Sequence, residues 1–163
     1  MNNKQFKSLI LKETRKLFEN RAVSLHIDED LSRCRNSEKM LSDFVDYCVD
    51  FLEINIPPEV ELVSNRENSK VRTTAFYDPE SHLIRVYSKD RAIVDICRSI
   101  AHELTHMSQN LKGQISFPVQ DVGGHIEDEA NAKAGEIIKA YAKSSKERSA
   151  IYESIARKSR LTQ

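Results

Sequence analysis

Two histidines four residues apart, with a glutamate directly after the first, stand in the stretch RSIAHELTHMSQN: His102, Glu103 and His106. On a helix, positions four apart are neighbours on one face, so the two imidazoles converge on one point. A zinc ion needs that arrangement from its histidines, and the glutamate then reaches the water the ion holds. The competing reading is two histidines on the surface or in the core of an ordinary helix. At about 100° of rotation per residue, Ile93, Ile96, Cys97, Ile100, Leu104, Met107 and Leu111 form one apolar stripe, which marks the core side. His102 and His106 project away from that stripe. They therefore face solvent, or a second element that covers them and brings its own chemistry.

Catalytic zinc takes three protein ligands and keeps one position open. Downstream, HIEDEANAKAGEIIKAY offers the carboxylates Glu127, Asp128 and Glu129. The same rotation separates them. Ile126, Ala130, Ala134, Ile137, Ile138 and Tyr141 mark the inward side of this second helix, and Glu127 falls near its middle with Asn131 one turn later. Asp128, Glu129, Lys133, Glu136 and Lys139 fall on the polar side. A carboxylate aimed inward must be compensated. A cation shared with the two histidines does this, and a buried arginine is the alternative. Asn131 is placed to accept a hydrogen bond from a ligand imidazole and fix its tautomer. His125 competes with Glu127 as third ligand, but it follows Gly123-Gly124 and its aim is less determined.

His102-Glu103-x-x-His106 followed by Glu127-x-x-Ala130-Asn131 resembles the gluzincin group of zinc metallopeptidases. The run EDEAN is similar to the form in the small IrrE/ImmA-like peptidase domains of bacteria and phages, as is the order of hairpin, first helix, loop and second helix. The resemblance covers about residues 71–142. It implies a zincin-like fold, His102, His106 and Glu127 as zinc ligands, and Glu103 as general base. Asn131 stands where many gluzincins carry aspartate, and no helix-turn-helix region is evident.

The mechanism expected on this basis is hydrolysis of a peptide bond by water that Zn²⁺ activates. Glu103 takes the proton and passes it to the leaving amine. His125, Tyr77 and Tyr87 are candidate oxyanion donors, with ordinary packing as the alternative for each. His26 and His82 receive no role.

These residues need elements to hold them. The spacing predicts helices over 91–111, with Gly113 as C-cap, and over 125–141. TTAFYDPESHLIRVYS reads as a β-hairpin around Asp78-Pro79-Glu80-Ser81. It could bind substrate as an added strand or simply cover the core. EVELV alternates like a half-buried strand, and SEKMLSDFVDYCVDFLEI is helical, stopped by Pro57-Pro58. The passage AVSLHIDEDLSRCRN reads as irregular. Residues 1–20 form an amphipathic helix rather than a signal, because Lys7 and Lys12 interrupt the apolar run. KGQISFPVQDVGG is a loop whose Phe117 is either a pocket residue or an anchor. SSKERSAIYESIARKSR closes the chain as a helix capped by a serine. The fold class expected is α+β: a helix-rich single domain with a small antiparallel or mixed sheet on the His102–His106 helix. Residues 1–56 supply N-terminal helices, 57–142 the catalytic core and 143–163 the last helix.

Composition bounds the alternatives. The 163 residues suit one domain, and the 25 basic and 25 acidic side chains cancel. No net field draws the chain to nucleic acid, although Lys146, Arg148, Arg157, Lys158 and Arg160 cluster near the end. No apolar run approaches the roughly 18 residues of a membrane span. Three dispersed cysteines, Cys34, Cys48 and Cys97, suggest neither disulfides nor a cysteine zinc site and fit a reducing cytoplasm, of a bacterium or a phage host, or a virion. The expected partner is a peptide or protein substrate. The second class considered is a metallopeptidase-like binding or virion-associated protein with a structural metal or none.

Overall fold

The computed structural model describes residues 23–67, 73–116 and 124–152. The helix expected over residues 1–20, Phe117 and the chain beyond 152 lie outside them.

Strand β1, Ser24–Ile27, and a short helix α1, Ser32–Asn36, occupy the passage that reads as irregular. The strand has four residues and sits at a sheet edge, so only one side of it is covered. Its outward His26 approaches Glu59 at 3.4 Å rather than the core. So short and polar a strand leaves almost no alternation to read.

Helix α2, Glu38–Phe51, buries Leu41, Phe44, Val45 and Cys48 at the expected helical spacing. It ends before Pro57-Pro58 act. Glu53 adopts a left-handed φ of 54°, its N–H donates to Asp50 O, and the N–H of Ile54 donates to Val49 O. This pair of bonds is a Schellman motif. The backbone has thus already turned when the prolines are reached.

β2 (Glu59–Val63), β3 (Ala75–Asp78) and β4 (Leu83–Tyr87) complete a mixed sheet of order β1-β2-β4-β3. β1, β2 and β4 run parallel and β3 pairs antiparallel with β4, as the hairpin reading requires. The register stacks apolar residues in two rows: Leu25, Val60, Ile84 and Tyr77, then Ile27, Leu62, Val86 and Ala75. In the turn, Asp78 accepts hydrogen bonds from the Glu80 N–H and the Ser81 hydroxyl.

Helix α3, Ile93–Leu111, packs between this sheet and the helices α2 and α4, the latter spanning His125–Ser144. The apolar stripe of α3 is buried as expected, except that Leu111 is half-buried. The opposite face is covered too. From Ala101 to Gln109 every residue but His102 is buried, because α4 lies over the face that points away from the sheet. Gly113 ends α3 with φ 69°, and the N–H groups of Gly113 and Gln114 bond Asn110 O and Gln109 O.

A short helix α5, Lys146–Ser149, begins at Ser145, whose hydroxyl accepts the Arg148 N–H, and a 3-10 turn Ala150–Tyr152 follows. Arg148 grips Asp43 of α2 through Nε and Nη2, both at 2.8 Å, and Tyr141 donates to the same carboxylate at 2.8 Å. Among the described residues no helix is long and apolar enough to cross a membrane.

Candidate metal centre

His102 and His106 occupy adjacent turns of α3, and Glu127 the first turn of α4. Packing of α4 over α3 brings the three together. The Nε2 atoms of the histidines are 3.0 Å apart. Glu127 places Oε2 3.3 Å from His102 Nε2 and Oε1 3.1 Å from His106 Nε2. Zinc bonded at about 2.0–2.1 Å to tetrahedral ligands sets those ligand atoms about 3.3–3.4 Å apart. The observed edges lie within a few tenths of an ångström of that spacing. Among the described residues this is the group of histidine, cysteine and acidic side chains that could hold a metal ion.

Hydrogen bonding decides which atoms carry lone pairs. Gln109 is buried, and its Nε2 donates to Ile126 O at 3.2 Å and to Glu129 Oε2 at 2.9 Å. Both are acceptors, so the amide oxygen must be the atom facing His106 Nδ1, at 2.9 Å. Nδ1 of His106 therefore carries a proton, and in the neutral imidazole Nε2 turns its lone pair toward Glu127 and His102. Two carboxylate oxygens and two imidazole nitrogens, all able to act as metal ligands, converge on one point. A cation satisfies all four.

Exposure grades the three candidate ligands. The side chains of His106, His102 and Glu127 are 10%, 20% and 30% exposed, so the group lies at the base of an opening rather than sealed inside. Glu127 is half-buried and faces the histidines, not the deep interior that the rotation argument implies. Asn131 hydrogen-bonds His102, as expected from its place one turn after Glu127. Burial, then the neighbouring His106, lowers the pKa of His102, while Glu127 and Asn131 oppose the shift. Glu103 is buried, and burial followed by the charge of Glu127 pushes its carboxyl up to about 8.

A cleft of about 470 Å³ opens beside this group and is lined by His102, Glu103 and Asn131. The candidate oxyanion donors do not line it. The Tyr77 hydroxyl lies 3.0 Å from His82 Nδ1 and accepts from Asn110 Nδ2 at 3.1 Å, tying the hairpin to the end of α3. The Tyr87 ring lies under the Arg66 guanidinium at 4.3 Å. His125 is exposed at the start of α4 and lies outside the candidate group, in which Glu127 rather than His125 stands beside the two histidines. Each of the three side chains meets a neighbour or solvent, the ordinary packing that stands as the alternative to an oxyanion role.

Gln109 and Glu129 were not legible as part of the site. Gln109 lies three residues after His106, hence on the same face of α3, which is the signal that points to it. Glu129 reads as a surface residue by rotation and is exposed, yet its carboxylate reaches back to Gln109. The chain matches no protein-family model, no curated protein and no solved structure.

Proposed function

We propose that this chain is a zinc-dependent metallopeptidase that hydrolyses peptide bonds, with Glu103 as general base. The observation that carries the reading is the convergence of His102 Nε2, His106 Nε2 and the Glu127 carboxylate at tetrahedral ligand spacing. The gluzincin-like order of these residues along the chain agrees with it. A divalent cation bound there supplies Lewis-acid polarisation of a carbonyl and lowers the pKa of water beside it. Gln109 and Asn131 orient the two imidazoles. Glu103, at the cleft wall, accepts a proton from the attacking water and returns it to the leaving amine. A purely structural metal would have no use for a buried carboxyl directly beside it in an open cleft. The three cysteines are free and buried, which supports a reducing compartment such as the cytoplasm.

The test combines metal content with turnover. Purified protein should carry about one zinc per chain by elemental analysis, and a generic protein substrate should be cleaved until chelator is added and again after zinc is restored. Glu103→Gln should keep the zinc and lose roughly 10²–10⁴-fold in rate. Cleavage at the wild-type rate by that variant would remove the mechanism.

A further inference from the structure

Beyond the candidate metal centre the cleft is lined by two arginines against one acidic side chain, Asp95. Arg91, just before α3, and Arg98, in its second turn, both line it, with Thr73 and Thr74 opposite at the start of the hairpin. Arg91 is half-buried and fixed by three hydrogen bonds: Nη1 to Tyr87 O at 2.7 Å, and Nη2 to Asp95 O at 2.9 Å and Ser99 Oγ at 2.8 Å. Every one of these acceptors is neutral. Its guanidinium is thus oriented by neutral acceptors; burial, and less strongly the nearby charge of Arg66, disfavour its charge, and the charge of Asp95 partly offsets them. Arg98 is exposed and makes no hydrogen bond or ion pair among the described residues. It lies seven residues after Arg91 and four before His102, on the same face of the helix. Four residues advance about 6 Å along a helix axis, and an extended peptide advances about 3.3 Å per residue. A peptide whose reacting carbonyl sits at His102 therefore brings a side chain one or two residues away to Arg98.

We infer that this cleft selects a carboxylate, so that the peptides cleaved carry an acidic group one or two residues from the bond that breaks, with Arg98 and Arg91 as the specificity-determining residues. The inference rests on the peptidase reading. The acidic group is either an Asp or Glu side chain or the free C-terminus of a short peptide, since both present the same two oxygens to a guanidinium.

The test uses fluorogenic peptides that differ only by Glu or Gln at each of the two positions on either side of the cleaved bond. A second pair differs only in a free or amidated C-terminus. Zinc-loaded wild type should show a Glu-over-Gln ratio in kcat/KM of about fivefold or more at one position. Arg98→Gln should bring that ratio close to one, and Arg98→Lys should retain most of it. A preference for the free acid without any for internal Glu identifies the terminal carboxylate as the group bound. Binding of the same peptides to zinc-loaded Glu103→Gln, read by fluorescence anisotropy, separates the two claims. Cleavage with no acidic preference in rate or binding overturns the carboxylate cleft and leaves the peptidase standing. Arg98-dependent binding of acidic peptides that wild type never cleaves supports the carboxylate cleft and sinks the peptidase.

Discussion

At the scale of single residues, the site separates ligands from their supports. Glu127 contacts both histidines, whereas Glu129 reaches only His106, and that through Gln109. Removing a supporting partner typically weakens metal affinity by about 10–100-fold. Competition with a chromogenic chelator should therefore rank the variants: Glu127→Ala weakest by the widest margin, Gln109→Leu about 10–100-fold below wild type, and Glu129→Ala closer to wild type than either. Equal affinity for Glu127→Ala and wild type would remove Glu127 from the ligand set. The three candidate ligands were readable from rotation, which turns Glu127 toward the histidine face, whereas it put Glu129 among the surface residues although its carboxylate also reaches α3. The supports were not. Gln109 is recognisable only once Ile126 and Glu129 are seen in front of it, and they come from an element whose placement no local pattern encodes. Arg91 and Arg98 escaped notice for the same reason: an arginine four residues before a histidine says nothing until a cleft opens on that face.

At the scale of elements, helices α2 and α3 end in the same backbone motif with unlike residues. Gly113 takes its left-handed turn without cost, whereas Glu53 pays for the same φ with the crowding of its Cβ. Glu53→Gly should raise stability by about 0.5–1 kcal/mol, and Gly113→Ala should lower it by about 1 kcal/mol, both read from denaturant midpoints at constant slope. The space around the Gly113 Cα is open, so the loss would be conformational rather than steric. Helices α2, α3 and α4 and the hairpin were legible because their apolar periodicity runs long or a turn sequence punctuates it. β1 was not, being four residues at an edge with His26 exposed and the other three only half-buried. The true end of α2 was hidden as well. Pro57-Pro58 is the louder signal, while a glutamate in the left-handed region carries none.

At the scale of the whole molecule, the buried core joins all four strands' inner rows to α2, α3 and α4, and the Asp43–Arg148–Tyr141 cluster fastens the chain after α4 back onto α2. The hydrogen bond from Arg148 is the main cause that holds the Asp43 carboxyl below its ordinary range, while burial opposes it. A group whose folded pKa is depressed stabilises the fold above its unfolded value, and that contribution disappears as pH falls through the folded value. Thermal melts should thus show stability draining away below about pH 4. Asp43→Asn should be less stable at neutral pH and show a shallower acid limb. An unchanged acid limb would assign the acid sensitivity elsewhere. Asp43 and Arg148 lie 105 positions apart, so nothing local in either segment announces their meeting. On the proposed reading, helix α4 is consequently anchored at both ends by different chemistry: a candidate metal ligand and a glutamine contact at the first turn, guanidinium and carboxylate just past the last. Stripping the ion with a chelator should unfasten only the first of these. Amide hydrogen exchange should then accelerate around residues 126–131 while the turn at 141–144 keeps its protection, so that metal supply acts as a latch on one end of a beam hinged at the other.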